Sequence, residues 1–281
     1  MRLIVEPNWV KDNLEQLVII DCRFDLNAPH KGRESYLSEH LPNAYYFDLV
    51  HDLSGEKQKH GGRHPLPDTQ LLKEKLEMAG VTDDITVVLY DDQNSSMASR
   101  LWWLLNYYGH KNSYVLNGGF QEWKRLGYPL ESTVPPSGKK GAFTLKLQKD
   151  MVVSAPYIID KMQSFEQRDS YLIDSREEKR YKGIEEPIDN KAGHIPGALH
   201  YFWMENINDS GRWKNQQELA DRFAELDKNK EVIVYCGSGV TACPNILALK
   251  EAGFSNVKLY SGSWSDWISC DENPIESCEN R

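Results

Sequence analysis

Four short patterns occur twice in this 281-residue chain, in the same order and at nearly the same separation. Asp21-Cys22-Arg23, after the apolar run Leu17 to Ile20, matches Asp174-Ser175-Arg176 after Tyr171-Leu172-Ile173. His40-Leu41-Pro42-Asn43-Ala44 matches His194-Ile195-Pro196-Gly197-Ala198. Val88-Leu89-Tyr90-Asp91 matches Ile233-Val234-Tyr235-Cys236, and Gly118-Gly119-Phe120-Gln121-Glu122-Trp123 matches Gly262-Ser263-Trp264-Ser265-Asp266-Trp267. The offsets are 153, 154, 145 and 144 residues. One such match can arise by chance; four in order mark a duplication, and a duplicated chain has to build the same core twice.

Within each half, short β-rich runs alternate with helical patterns such as Leu71 to Ala79 and Gln217 to Leu226. That alternation predicts an α/β fold, a parallel sheet flanked by helices, in two tandem copies. Residues 1–130 form the first predicted domain and 151–281 the second. The Pro, Gly, Ser and Lys cluster Pro135 to Lys140 makes 131–150 a predicted linker. The segment Ile268 to Arg281 reads as a polar, poorly ordered tail. Trp123, Trp264, Trp267 and Phe120 occupy equivalent positions and are assigned to core packing.

The net charge of −9 argues against duplex nucleic acid as a partner. No apolar run approaches the roughly 20 residues that span a bilayer, so no membrane contact is expected. The opening Met1 to Pro7 breaks too early for a secretory signal. The five cysteines (Cys22, Cys236, Cys243, Cys270 and Cys278) lack zinc-site spacing. They read as thiols of a reducing, cytoplasmic compartment, with no metal and no cofactor expected.

One of them stands apart. Cys236-Gly237-Ser238-Gly239-Val240-Thr241 joins the apolar run Val232 to Tyr235 to the helical pattern Ala242 to Ala252. A thiol where a strand turns through glycines into a helix faces free backbone N–H groups and the positive end of the helix dipole. The two glycines let the backbone turn back on the sulfur. The first half has Asp91 at this position, followed by Asp92-Gln93-Asn94-Ser95-Ser96, without glycine. A loop with two carboxylates is not expected to cradle an anion, so the first copy is expected to keep the fold without the chemistry.

With these motifs in hand, nearly the whole chain resembles the two-domain rhodanese-type sulfurtransferases. Its active loop is similar to that of the 3-mercaptopyruvate members. Thiosulfate members typically carry Arg-Lys where Gly237-Ser238 stand here. The resemblance implies transfer of a sulfane sulfur from a small-molecule donor through a persulfide on Cys236, with amides of Gly237, Gly239, Val240 and Thr241 holding the outer sulfur. A thiol such as thioredoxin, or cyanide, would accept it. The family's substrate arginine lies in the Asp-x-Arg element and implies that Arg176 binds the donor's carboxylate, for which a guanidinium fork is suited. Arg180, four residues on, would share its helix face if that stretch is helical. Arg23 at the equivalent place in the first half shows that the element also has a scaffold role. His194, matched by His40, reads as structural. Ser238 is the implied proton relay. In His60 to Pro67, assigned to the wall supplied by the first half, His64 matches a histidine near the donor. The family's acid, two residues after the position of Asp48, is here Val50, with Asp52 as a substitute.

Gly237 and Ser238 carry no charge, which suits a mercapto acid better than the thiosulfate dianion. Thiosulfate transfer and a carrier without turnover are the alternatives. A cysteine phosphatase would need arginine six residues after Cys236, and Ala242 stands there.

Overall fold

Each apolar run of the repeated pattern is a strand. The first sheet is built from β1 (Ile4–Val5), β2 (Leu17–Asp21), β3 (Tyr45–Tyr46), β4 (Thr86–Tyr90) and β5 (Ser113–Leu116) in the order β1-β5-β4-β2-β3. The second uses β6 (Val152–Val153), β7 (Tyr171–Asp174), β8 (Leu199–His200), β9 (Val232–Tyr235) and β10 (Val257–Tyr260) in the order β6-β10-β9-β7-β8. The two orders are equivalent, and every ladder is parallel. This is the expected α/β architecture in two copies. The computed structural model describes residues 2–136 and 140–277. Cys278 and Ser137-Gly138-Lys139 of the linker cluster lie outside the described residues.

The buried faces repeat as the patterns require. The first core gathers Ile19, Val88, Tyr90, Phe120 and Trp123, and the second gathers Leu172, Ile233, Tyr235, Trp264 and Trp267. Trp123 donates its indole N–H to the Pro129 carbonyl at 2.8 Å, and Trp267 donates to Pro274 at 2.9 Å. Both tryptophans thus bury their rings with the polar atom satisfied.

Asp21 pairs in register with Tyr90 on β4, and Asp174 pairs with Tyr235 on β9. In each sheet the strand order reverses between these neighbours, which places the following loops at a topological switch point. Open parallel sheets bind ligands at that place, beyond the carboxyl ends of the strands.

The chain divides into two compact units: Met1–Gly55 with Leu66–Gln148 and Ile207–Trp213, and Glu56–Pro65 with Lys149–Asn206 and Lys214–Arg281. Residues 140–148 of the proposed linker are tied to the first unit. Gly141 donates to the Glu77 carbonyl at 2.7 Å and Lys146 to Tyr108 at 2.9 Å. The expected loose tail is anchored as far as Glu276, which exchanges backbone hydrogen bonds with His194 at 2.8 and 3.0 Å. Glu131 does the same with His40. The helix expected to run to Leu226 ends at Arg222. No helix among the described residues is long and apolar enough to cross a membrane.

Candidate active site

Cys236 follows the last residue of β9, and its side chain is almost wholly buried. The loop folds back so that the Gly239 N–H donates to Cys236 Sγ at 3.2 Å. Gly239 makes this turn at φ +79°, and a Cβ there would stand 2.3 Å from the Ser261 carbonyl oxygen. We expect Gly239→Ala to cost at least about 2 kcal/mol, from the left-handed backbone and the collision together. Chemical denaturation compared with wild type checks this.

Gly237 has a different role from the one expected. Its φ is not positive. It supplies room: a Cβ there would stand 2.9 Å from Arg63 Nη2 and 3.4 Å from Arg180 Nη2. Two guanidinium groups therefore lie against the residue that follows the thiol. Arg180 sits on the short helix Glu178–Lys182. Arg63 was overlooked because nothing in the sequence ties it to the Cys236 loop, although the basic composition of its segment was a signal.

Of that segment, the part up to Pro65 belongs to the second unit, and Leu66 and Pro67 to the first. Gly61 N–H donates to Asp266 Oδ1 at 2.6 Å and Arg63 N–H to Ser265 Oγ at 3.1 Å. His64 Nδ1 lies 2.8 Å from Ser238 Oγ. Ser238 and His64, named separately from the sequence, are thus in hydrogen-bond contact. Asp52, offered as the third member of a relay, accepts from the Lys75 ammonium and from the Asp48 N–H.

Arg176 requires a correction. Its guanidinium is 1% exposed. It donates to Asp174 through Nε and Nη2, to Glu186 Oε2 at 3.1 Å and to the Gly193 carbonyl at 2.6 Å. Its charge lies 4.6 Å from the centre of the Trp264 ring. Arg23 repeats this with Asp21, the Glu39 carbonyl and the Phe120 ring. Burial pushes the Asp174 carboxyl up, but the Arg176 charge and its hydrogen bonds outweigh burial, and the net direction is down. A guanidinium buried among these partners is a brace between a strand end and a loop, with its charge already paired. The expectation from Asp-x-Arg passes instead to Arg180. His194 braces too: Nδ1 lies 2.7 Å from the Tyr181 carbonyl and the ring stacks on Tyr181, as His40 does on Tyr36.

The first copy also departs from expectation. Its loop does cradle an anion, namely its own Asp91. One carboxylate oxygen accepts from Gln93 and Ser95 N–H at 2.9 Å, the other from Met97 at 2.8 Å and Ala98 at 2.9 Å. Asn94 and Ser95, at φ +55° and +65°, take the left-handed turn without glycine. Burial raises Asp91 to about 6 against these hydrogen bonds. The cradle is filled from within, so it offers no thiol and no vacancy. Cys22 lies in the same unit, and burial, with Asp91 and Asp21, pushes its thiol well up.

A family model for the rhodanese-like domain matches residues 6–126 and again 155–270. The chain belongs to the rhodanese family. Among its relatives is a probable 3-mercaptopyruvate sulfurtransferase of Pseudomonas aeruginosa, 40% identical over 267 residues and 92% of each chain. A putative thiosulfate sulfurtransferase of Mycobacterium tuberculosis is 34% identical over 92% of this rhodanese and 89% of its own length. Among solved structures, a 3-mercaptopyruvate sulfurtransferase from Leishmania major superposes with a TM-score of 0.83 at 29% identity, covering 98% of this chain and 76% of that one. An Escherichia coli 3-mercaptopyruvate sulfotransferase does so at 0.81 and 29%, covering 94% and 100%.

Proposed function

We propose that this rhodanese is a sulfurtransferase that takes sulfur from 3-mercaptopyruvate onto Cys236 and passes it to a thiol or to cyanide. The observation that carries the reading is the placement of Arg63 and Arg180 against Gly237, next to a thiol that accepts the Gly239 N–H. The Cys236 thiolate attacks the donor's sulfur and an S–S bond forms. The donor's C–S bond breaks, and its electron pair leaves on pyruvate as the enolate. Ser238 and His64, in contact at 2.8 Å, form a route for the proton that the enolate carbon takes up. An acceptor thiolate, such as that of thioredoxin, or cyanide then removes the outer sulfur and regenerates the Cys236 thiolate. During its lifetime the persulfide's charge is held by the loop amides from Gly237 to Thr241.

Arg180 and Arg63 are assigned to the donor's carboxylate and carbonyl, since forked guanidiniums bind such oxygens in pairs. Their charge is already balanced: Arg63 is paired with Asp189, and Arg180 with Glu186 and Asp189. A site with little net positive charge suits a monoanion better than thiosulfate. We expect a higher kcat/KM for mercaptopyruvate than for thiosulfate with cyanide as acceptor, and the reverse order would overturn the donor assignment. Arg180→Ala should raise the KM for mercaptopyruvate about ten- to a hundredfold, as loss of a charged hydrogen-bonding partner does. Repeated release of pyruvate per Cys236 distinguishes this reading from a carrier that is loaded once.

A further inference from the structure

Asp189 is placed where a substrate oxyanion would be. One carboxylate oxygen pairs with Arg63 Nη1, and the other lies 3.1 Å from Arg180 Nη2. The side chain is 5% exposed, and its backbone N–H donates to Glu186 Oε1 at 3.1 Å, which fixes the loop that carries it. The same two guanidiniums reach Gly237 with the atoms that Asp189 holds or with their neighbours: Nη2 of each is the closest to its Cβ position. A cavity of about 320 Å³ opens beside Arg63 and Asp189, lined also by Lys57, Lys59, Ser265 and Ser269.

We propose that Asp189 is a specificity-determining residue, an internal carboxylate that neutralises Arg63 and Arg180 and so disfavours dianionic sulfur donors. The proposal rests on the assignment of these arginines to the donor and adds the charge rule of that site. The two guanidiniums that meet Gly237, Arg63 and Arg180, are paired with two carboxylates, Asp189 and Glu186. Removing one carboxylate leaves one positive charge in a half-buried place. Coulomb attraction scales with the ligand's charge, so a dianion gains about twice the free energy that a monoanion gains. Asp189 also competes directly, because an incoming oxyanion must take over the hydrogen bonds that its carboxylate now holds.

The test is equilibrium binding, which needs no turnover. Thiosulfate and pyruvate are titrated by calorimetry into Cys236→Ala protein with Asp189 intact, with Asp189→Asn and with Asp189→Ser. Asp271→Asn, a like charge change at a side chain that is 92% exposed, serves as the control. The expected result is thiosulfate binding tightened about tenfold and pyruvate about threefold by either Asp189 variant, with no change for the control. An equal gain for both anions, no gain, or weaker binding by the variant that retains the wild-type melting temperature would overturn the proposal. Absence of mercaptopyruvate turnover in the wild-type enzyme would instead overturn the assigned reaction and would leave these binding results to be read on their own.

Discussion

Cys236→Ala is expected to lower sulfur transfer about a thousandfold or more with any donor, because loss of the nucleophile removes the covalent route altogether. Fold stability should change little: the thiol's hydrogen bond in the loop is one acceptor for Gly239 N–H. Two measurements check this. Pyruvate release should fall to the uncatalysed level, and the mass gain of one sulfur atom after donor treatment should vanish. Transfer retained at more than about a tenth of wild type would move the reaction to another thiol. Cys22 is a poor alternative, since burial beside Asp91 and Asp21 keeps its thiol protonated. Cys243 is fully buried with its thiol 3.5 Å from the Gly239 carbonyl.

Arg176→Ala should have the largest effect on stability, about 3–5 kcal/mol, because it strands the buried Asp174 carboxylate and uncovers Glu186. Arg176→Lys should rescue little, since an ammonium cannot reproduce the fork that reaches Asp174, Glu186 and the Gly193 carbonyl together. The pair also gives the stability an acid limb. The native Asp174 carboxyl lies below its unfolded value of about 3.9. Its contribution is therefore complete above about pH 5 and is lost as the pH falls through the lower native value. Arg176→Ala should flatten that limb. Denaturation at several pH values checks both effects. An Arg176 variant with unchanged stability but a raised KM would return this residue to the donor site.

The two arginines separated by three residues illustrate how far motif reading goes. Arg176 and Arg180 share a short segment, and the resemblance pointed to the first. Placement of charge is decided by what lies opposite, and opposite Arg176 lie Asp174 and Glu186, which come from a strand end and from a loop. The duplication held part of this answer. Arg23 performs the same brace in a unit whose cradle has no thiol, and a residue that repeats in both copies reports on the shared scaffold. The Asp91 loop shows the opposite limit. Two acidic residues in a row argued against an anion cradle, yet the backbone N–H groups there converge on the first of them. Composition counts charges; it does not say which charge the backbone encloses.

The sequence by itself determined the double α/β fold, the order of its elements and the strand-end cysteine. Each of these rests on local pattern: apolar runs, turn glycines and motifs that recur at fixed spacing. The tertiary structure alone decided that residues 56–65 join the second unit, that Arg63 and Arg180 rather than Arg176 meet the loop, and that Asp189 holds them. Those facts depend on side chains from distant segments competing for the same few hydrogen bonds, and the outcome of that competition is set by burial and geometry that no spacing records.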